Sequence, residues 1–342
     1  MKEILVVGGG IAGCTIAKEL SNAGFTVRIV EKAVELGGKV RSYGCKASDS
    51  CNNCGLCAVG TLFNDIKSRD SVSISFGAEL VDLSGELGAF KALIRTAEGN
   101  KEEAFSAVIV TTGFEDAEDA YGAGYAFNKS SIDNERVYTG DGLERLLRER
   151  KSGAVFLDAP RNVGFILCYG SRSLKERAPY CSQVCCGYAT RAAKVIKHDY
   201  PDTEVSVFYM DLQAVKPGDY SAELTNEGIE LIRCRPADIS FAESLPVVSY
   251  EDGEGAKKKA FDKLFLCGGI HPDVPRNTAL ADITGLRIKP DGFFDVVGSS
   301  AGTGVWVAGC AKRPMSIAST LNDATGVAAE IIDVFASEEY RS

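Results

Sequence analysis

Three of the twelve cysteines in this chain fall within "YCSQVCCGY" at 180–188, and a fourth, Cys168, closes the run "NVGFILC" shortly before it. Cys185 and Cys186 are adjacent, and sequence neighbours make a poor disulfide with each other because the ring between them is too tight for relaxed geometry. The spacing of the four is Cys-x12-Cys-x3-Cys-Cys. Thiolates from one strand end and one helix start can converge on a [4Fe–4S] cluster, which takes four cysteine ligands. The free N–H groups of a helix start also favour negatively charged sulfur. Four cysteines equally suit a tetrahedral zinc ion, and cysteine is often only a small buried hydrophobe.

A second quartet, Cys45, Cys51, Cys54 and Cys57, lies in "GCKASDSCNNCGLCAVG". Cys-x2-Cys-x2-Cys is ferredoxin-like spacing, and each Cys-x-x-Cys within it suits a redox dithiol. Three readings stay open here: a second metal site, a dithiol or persulfide-handling site, or no special role. This quartet is kept out of the expected ligand set.

A third pattern is "VVGGGIAG", which holds G-x-G-x-x-G as Gly8, Gly10 and Gly13. Ile4 to Val7 reads as a buried parallel strand, Ile11 to Asn22 as a helix stopped by Gly24, and Thr26 to Val30 as a second strand. In such a unit the first glycine allows a tight turn and the second lets backbone approach a pyrophosphate. The third lets helix and strand pack closely. The helix start then offers N–H groups to phosphates. Glu31 ends the second strand, where a carboxylate can accept ribose hydroxyls.

Further strands are expected at 105–110, 162–168, 205–210, 228–232, 264–267 and 305–307, with helices at 140–150, 184–198 and 316–335. Residues 115–139 read as a polar crossover linker, and "EDGEGAKKK" at 251–259 as a hairpin turn. With 342 residues, 45% of them hydrophobic, the chain can build one large or two ordinary cores. A net charge of −9 argues against a nucleic-acid surface. Twelve cysteines at this length suit a reducing compartment. Glu3 and the early glycines speak against a signal peptide, and no apolar run is long enough for a membrane span. A cytoplasmic protein is expected.

"EKAVELGGKVRS" places Gly37 and Gly38 after Glu31, and this resembles the flavoproteins with two dinucleotide-binding domains, whose Gly-Gly pair approaches the FAD pyrophosphate. "VIVTTGF" at 108–114 resembles their strand that passes the flavin, and "GVWVAGCAKRP" at 304–314 their C-terminal FAD signature. That signature usually ends in Gly-Asp, whereas here the pair is Gly309 and Cys310. The resemblance implies FAD contacts at Ala12, Lys32, Leu80, Thr112 and Gly113, and at Ile317 and Ala318 as well. In thioredoxin-reductase-like members an inserted second domain binds NAD(P)H through its own glycine-rich loop. Here "NVGFILCYGSRS" is followed by no such loop, since Gly170 stands alone, so loss of nicotinamide binding is expected.

The stretches "FILCYGSRS", "YCSQVCCGYATRAA", "VFYMDLQA", "IELIRCRPADI" and "LFLCGGIHPD" resemble the flavin- and cluster-binding A-type subunit of heterodisulfide reductases. The resemblance implies that Cys168, Cys181, Cys185 and Cys186 hold a [4Fe–4S] cluster near FAD. It also implies partner subunits of the B and C type, and the likeness to thioredoxin-reductase-like flavoproteins implies a homodimer. The chain resembles the short A-like subunits of sulfur-oxidising systems, and Arg191 stands where the methanogen type carries a lysine near the flavin. A guanidinium does not give up its proton as an ammonium does, and Arg191 is expected to tune the flavin.

The expected fold is α/β, with two Rossmann-like domains in a thioredoxin- or glutathione-reductase-like arrangement. The FAD domain runs over 1–115 and 263–342, with a degenerate second domain inserted at 116–262. The expected function is electron transfer in a heterodisulfide-reductase-like complex that oxidises sulfur compounds. The rivals are an NAD(P)H-dependent disulfide reductase using a Cys-x-x-Cys at 51–57, and a scaffold whose FAD is structural.

Overall fold

Ile4, Leu5 and Val6 are wholly buried because both faces of their strand, Glu3–Val7, are covered. The computed structural model describes residues 2–116, 136–150, 154–174, 178–213, 218–296 and 303–339. It divides into two units. The first comprises Met1–Arg41, Gly55–Glu115 and Pro272–Ser342, and the second Ser42–Cys54 and Asp116–His271.

In the first unit five parallel strands lie in the order Val305–Val307, Ala107–Val110, Glu3–Val7, Thr26–Glu31 and Val72–Phe76. The helices Ile11–Asn22 and Ile317–Glu339 cover one face, with Ile16, Leu20, Ala324 and Ile331 buried between helices and sheet. An antiparallel meander, Glu79–Ser84, Phe90–Thr96 and Gly99–Phe105, covers the other through Leu80, Phe90 and Ile94.

The second unit repeats this plan. Its five parallel strands run Ile229–Arg233, Glu204–Tyr209, Asn162–Tyr169, Lys263–Gly268 and Val137–Thr139. A second meander spans Asp238–Ala242, Leu245–Asp252 and Gly255–Ala260, and its last turn is the tight hairpin read in "EDGEGAKKK". The expected α/β fold of two Rossmann-like units is therefore present. Among the described residues, no helix is long and apolar enough to cross a membrane.

Three boundaries differ from expectation. Strand Lys263–Gly268 pairs with Asn162–Tyr169 inside the second sheet, so the second unit runs on to His271 and does not end at 262. Residues 42–54, expected in the first domain, belong to the second unit. The expected linker at 115–139 lies outside the described residues from 117 to 135, and its end forms the strand Val137–Thr139.

The 42–54 segment is held by buried charge. Lys46 Nζ donates to Glu144 Oε2 at 2.6 Å, with the two side chains 4% and 7% exposed, and Gly44 N donates to the same oxygen at 3.1 Å. A side chain at Gly44 would fall 2.3 Å from Arg148 N, so only glycine lets the segment lie against helix Gly140–Glu149. Removing one partner of a buried pair leaves an uncompensated charge, which costs about 3–5 kcal/mol. Lys46→Ala is therefore expected to lower stability by about that amount in urea unfolding, and a loss under about 1 kcal/mol would refute the pair's role.

Candidate functional site

The glycine turn of the first unit is built as its residue types require. Gly8, at φ +113°, donates its N–H to Val30 O at 2.8 Å, and a Cβ there would fall 2.6 Å from Thr111 O. A Cβ on Gly13 would fall 2.0 Å from Gly8 O, which is the close helix–strand approach expected of the third glycine. Gly10 differs, because a Cβ there would meet no protein atom within 4 Å. Gly38 faces it, its own Cβ position lying 3.6 Å from Gly10 Cα, and Gly37 N donates to Gly9 O at 2.9 Å. The result is an open, side-chain-free cradle at the start of helix Ile11–Asn22, which has no side-chain cap on its N–H groups.

Glu31 lies buried beside this cradle. Its Oε2 accepts from Gly9 N at 2.6 Å and its Oε1 from Ala33 N at 2.8 Å. Each carboxylate oxygen keeps a second lone pair for a ribose hydroxyl. Lys32, next in the chain, is exposed, and Ala12 is buried in the helix's first turn. Thr112 Oγ1 is buried with no hydrogen-bond partner among the described residues, and Gly113, at φ +78°, has open space where a Cβ would stand. Both observations fit a polar ligand lying across the strand end.

At the C-terminal signature Gly309, at φ +69°, packs on Ala12, where a Cβ would come within 2.8 Å. Cys310 is buried, its thiol near Met315 O at 3.6 Å, and burial pushes its pKa up to about 11. A neutral thiol does not supply what an aspartate would. A carboxylate comes from elsewhere: Asp323 Oδ2 accepts from Gly309 N at 2.8 Å, and Asp323 Oδ1 pairs with Lys312 at 2.7 Å. Asp323 carries no signal in the sequence, because only the return of helix Ile317–Glu339 brings it to residue 309. Ile317 and Ala318 open that helix, and Leu80 is buried in the meander.

In the second unit the loop from strand Asn162–Tyr169 to helix Cys185–Asp199 gathers the cysteines. The strand's register breaks between Ile166 and Tyr169, and Cys168 adopts φ +57°, a bulge that redirects its side chain. Arg172 and Gln183 are also left-handed, at φ +54° and +60°. Cys168, Cys185 and Cys186 are buried and Cys181 is partly exposed. The thiols of Cys168, Cys185 and Cys186 form a string in which Cys185 is hydrogen-bonded to both of the others. These bonds hold Cys185 protonated, with its pKa well above the usual range. They also draw Cys186 down to about 7 and lower Cys168, which Arg172 further favours as thiolate.

Val184 offers no side-chain cap to the helix, so its first N–H groups stay available to thiolate sulfur. Among the described residues, no group of three or more His, Cys, Asp or Glu stands as a formed metal-binding group. The fit to a cluster lies in the donor set and the uncapped helix start; Cys168 and Cys186 are favoured as thiolates, whereas burial raises Cys181 and the bonds to its neighbours raise Cys185. Cys267 is buried nearby, but desolvation holds its thiol neutral, as suits a core residue.

Cys45, Cys51 and Cys54 fall in the second unit and Cys57 opens helix Leu56–Lys67 of the first. Asn53 N donates to Cys51 Sγ at 3.4 Å. Arg191 clamps the residues between Cys51 and Cys54: its Nε donates to Asn52 O at 2.7 Å and a terminal nitrogen to Asn53 O at 3.3 Å, while the other terminal nitrogen reaches Gly187 O at 3.0 Å. The two ends of this clamp lie 139 positions apart for Asn52, so it carries no local sequence signal.

Comparisons with known proteins agree with this plan. A family model described as an NAD(P)-binding Rossmann-like domain matches residues 6–57. The A-type subunit of the ferredoxin/F(420)H(2)-dependent CoB-CoM heterodisulfide reductase of Methanosarcina acetivorans is 23% identical over 99% of this chain and 54% of its own length. The second A-type iron-sulfur subunit of the CoB-CoM heterodisulfide reductase of Methanopyrus kandleri is 25% identical over 98% of this chain and 64% of its own. The chain thus spans less than two-thirds of the length of these relatives. Thioredoxin reductase of T. acidophilum superposes with a TM-score of 0.65 at 20% identity, covering 97% of this chain and 99% of that one. Over nearly its whole length, the chain is homologous to the A-type subunits of heterodisulfide reductases, and it shares the two-Rossmann-unit fold of thioredoxin reductase.

Proposed function

We propose that the chain is an oxidoreductase subunit that binds FAD in its first unit and a [4Fe–4S] cluster in its second, and transfers electrons within a heterodisulfide-reductase-like complex. The observation that carries this reading is the cysteine loop. Cys168 stands at the strand end, Cys181 in the loop and Cys185 and Cys186 at the helix start, where a second pyrophosphate would otherwise dock. FAD supplies two-electron chemistry and an iron–sulfur cluster single-electron transfer, while the protein supplies binding and electrostatic tuning.

In this reading Gly8, Gly10 and Gly13 admit the FAD pyrophosphate to the first helix start, with Gly37 and Gly38 opposite. Glu31 accepts from the ribose, and Thr112 offers its unpartnered hydroxyl. Cys168, Cys181, Cys185 and Cys186 hold the iron, and the uncapped N–H groups of helix Cys185–Asp199 offset the negative charge of their thiolates. A flavin-tuning role for Arg191, a homodimer, B- and C-type partners and a sulfur-oxidising reaction belong to the same proposal. The homodimer rests on the resemblance to thioredoxin-reductase-like flavoproteins, the others on that to heterodisulfide-reductase A-type subunits. Iron and acid-labile sulfide assays with EPR on anaerobically purified protein test it: yellow protein lacking iron would overturn the cluster assignment.

The rival, a self-contained nicotinamide-dependent disulfide reductase using Cys51 and Cys54 or Cys54 and Cys57, makes an opposite prediction. No glycine-rich loop follows strand Asn162–Tyr169 in the sequence, and side chains at Cys181, Cys185 and Cys186 would obstruct close approach of backbone to a pyrophosphate. Neither NADH nor NADPH is therefore expected to reduce the flavin at a useful rate. Stopped-flow mixing under argon checks this, and complete bleaching within seconds would decide for the rival.

A further inference from the structure

Two serine hydroxyls in the cysteine loop lack a hydrogen-bond partner among the described residues. Ser171 and Ser182 are both 0% exposed, and neither Oγ has a hydrogen-bond partner among the described residues. A buried hydroxyl left unpaired costs about 1–3 kcal/mol, and native structures carry few of them. The neighbouring helix shows the usual outcome: Thr190 Oγ1 donates to Cys186 O at 2.6 Å.

The two hydroxyls belong to one place. A Cβ on Gly269 would fall 1.7 Å from Ser182 Oγ and 3.5 Å from Ser171 Cβ, so both serines press against the same glycine just past strand Lys263–Gly268. Each is also one short turn from a cysteine of the quartet. Ser171 N donates to Cys168 O at 3.2 Å, and Ser182 follows Cys181, whose sulfur accepts from Gln183 N at 3.3 Å. His271 Nε2 is a third unpartnered atom nearby. The His271 ring is hydrogen-bonded to the Gly170 backbone and burial lowers its pKa. A neutral imidazole that donates from its other nitrogen has only a lone pair at Nε2, so it gives no hydrogen bond to sulfur.

We propose that Ser171 and Ser182 donate O–H···S hydrogen bonds to the sulfur of the cluster held by Cys168, Cys181, Cys185 and Cys186, and thereby raise its reduction potential. The inference rests on the cluster reading above. Its physical basis is that reduction adds negative charge to the cluster, and a donor aimed at sulfur stabilises the reduced form more than the oxidised one. The serines are positioning and tuning residues, not ligands, so their removal is expected to leave the iron in place.

The test is an EPR-monitored redox titration of anaerobically purified parent, Ser171→Ala, Ser182→Ala and the double variant, with iron and sulfide measured on each. The expected result is unchanged iron, with a potential shifted negative in each single variant and further in the double. Unchanged potentials in iron-replete variants would overturn this inference alone, and would mean that buried water satisfies the hydroxyls. Loss of iron from a single variant would also overturn it, because the serine would then be acting as a ligand or a structural prop. A parent without iron would instead remove the cluster reading, and this inference with it.

Discussion

Cys185→Ala and Cys186→Ala are each expected to strip the iron from the protein while leaving its flavin bound. Each change removes one of four iron–thiolate bonds, and the next residues, Gly187 and Tyr188, offer no substitute thiol. Both positions are buried, at 1% and 4% exposure, so water has little access to complete the shell. Iron is expected to fall from about four atoms per chain to below one. FAD should stay, because every contact assigned to it lies in the first unit. Cys51→Ala and Cys54→Ala should keep the iron and leave the reduced-cluster EPR signal unchanged. The reverse pattern, iron lost with Cys51 or Cys54 but kept with Cys186→Ala, would move the site to the other quartet.

The second large effect concerns Gly10. Gly10→Val should yield a folded protein that has lost its yellow colour, with FAD affinity lowered on the order of a hundredfold or more, about 3 kcal/mol. The reason is specific to this glycine: its φ of −78° is open to any residue, and its Cβ would meet no protein atom within 4 Å. The added side chain would fill only the cradle, so folding is unaffected and the ligand is displaced. Gly13→Ala should behave in the opposite order, because its Cβ would fall 2.0 Å from Gly8 O and overpacking costs about 1–3 kcal/mol of stability. Circular dichroism and flavin absorbance on the two variants separate the effects. A Gly10→Val protein that folds and keeps stoichiometric flavin would contradict the assignment.

The first βαβ unit and the cysteine-bearing strand and helix are legible in the sequence because they obey local rules. An apolar run bounded by glycines reads as a buried strand, and 162–168 is found as Asn162–Tyr169. Helical periodicity over 184–198 and 316–335 is found as Cys185–Asp199 and Ile317–Glu339. The helix Leu56–Lys67 is harder to see, because the cysteine spacing that runs into it overlies an ordinary amphipathic pattern.

The sequence by itself determined the two-unit α/β fold, the glycine cradle with Glu31, and the placing of Cys168 at a strand end with Cys185 and Cys186 at the following helix start. Only the tertiary structure decided that residues 42–54 join the second unit, since Lys46 meets Glu144 98 positions away and Arg191 meets Asn52 139 away. It alone decided that Asp323 reaches Gly309, that Cys168 turns left-handed at a bulge, and that Ser171 and Ser182 are buried without partners among the described residues. The physical reason is range. Glycines, caps and hydrophobic period act through neighbours a few residues away, whereas buried charge pairing and hydroxyl burial depend on which distant segments the two sheets bring together.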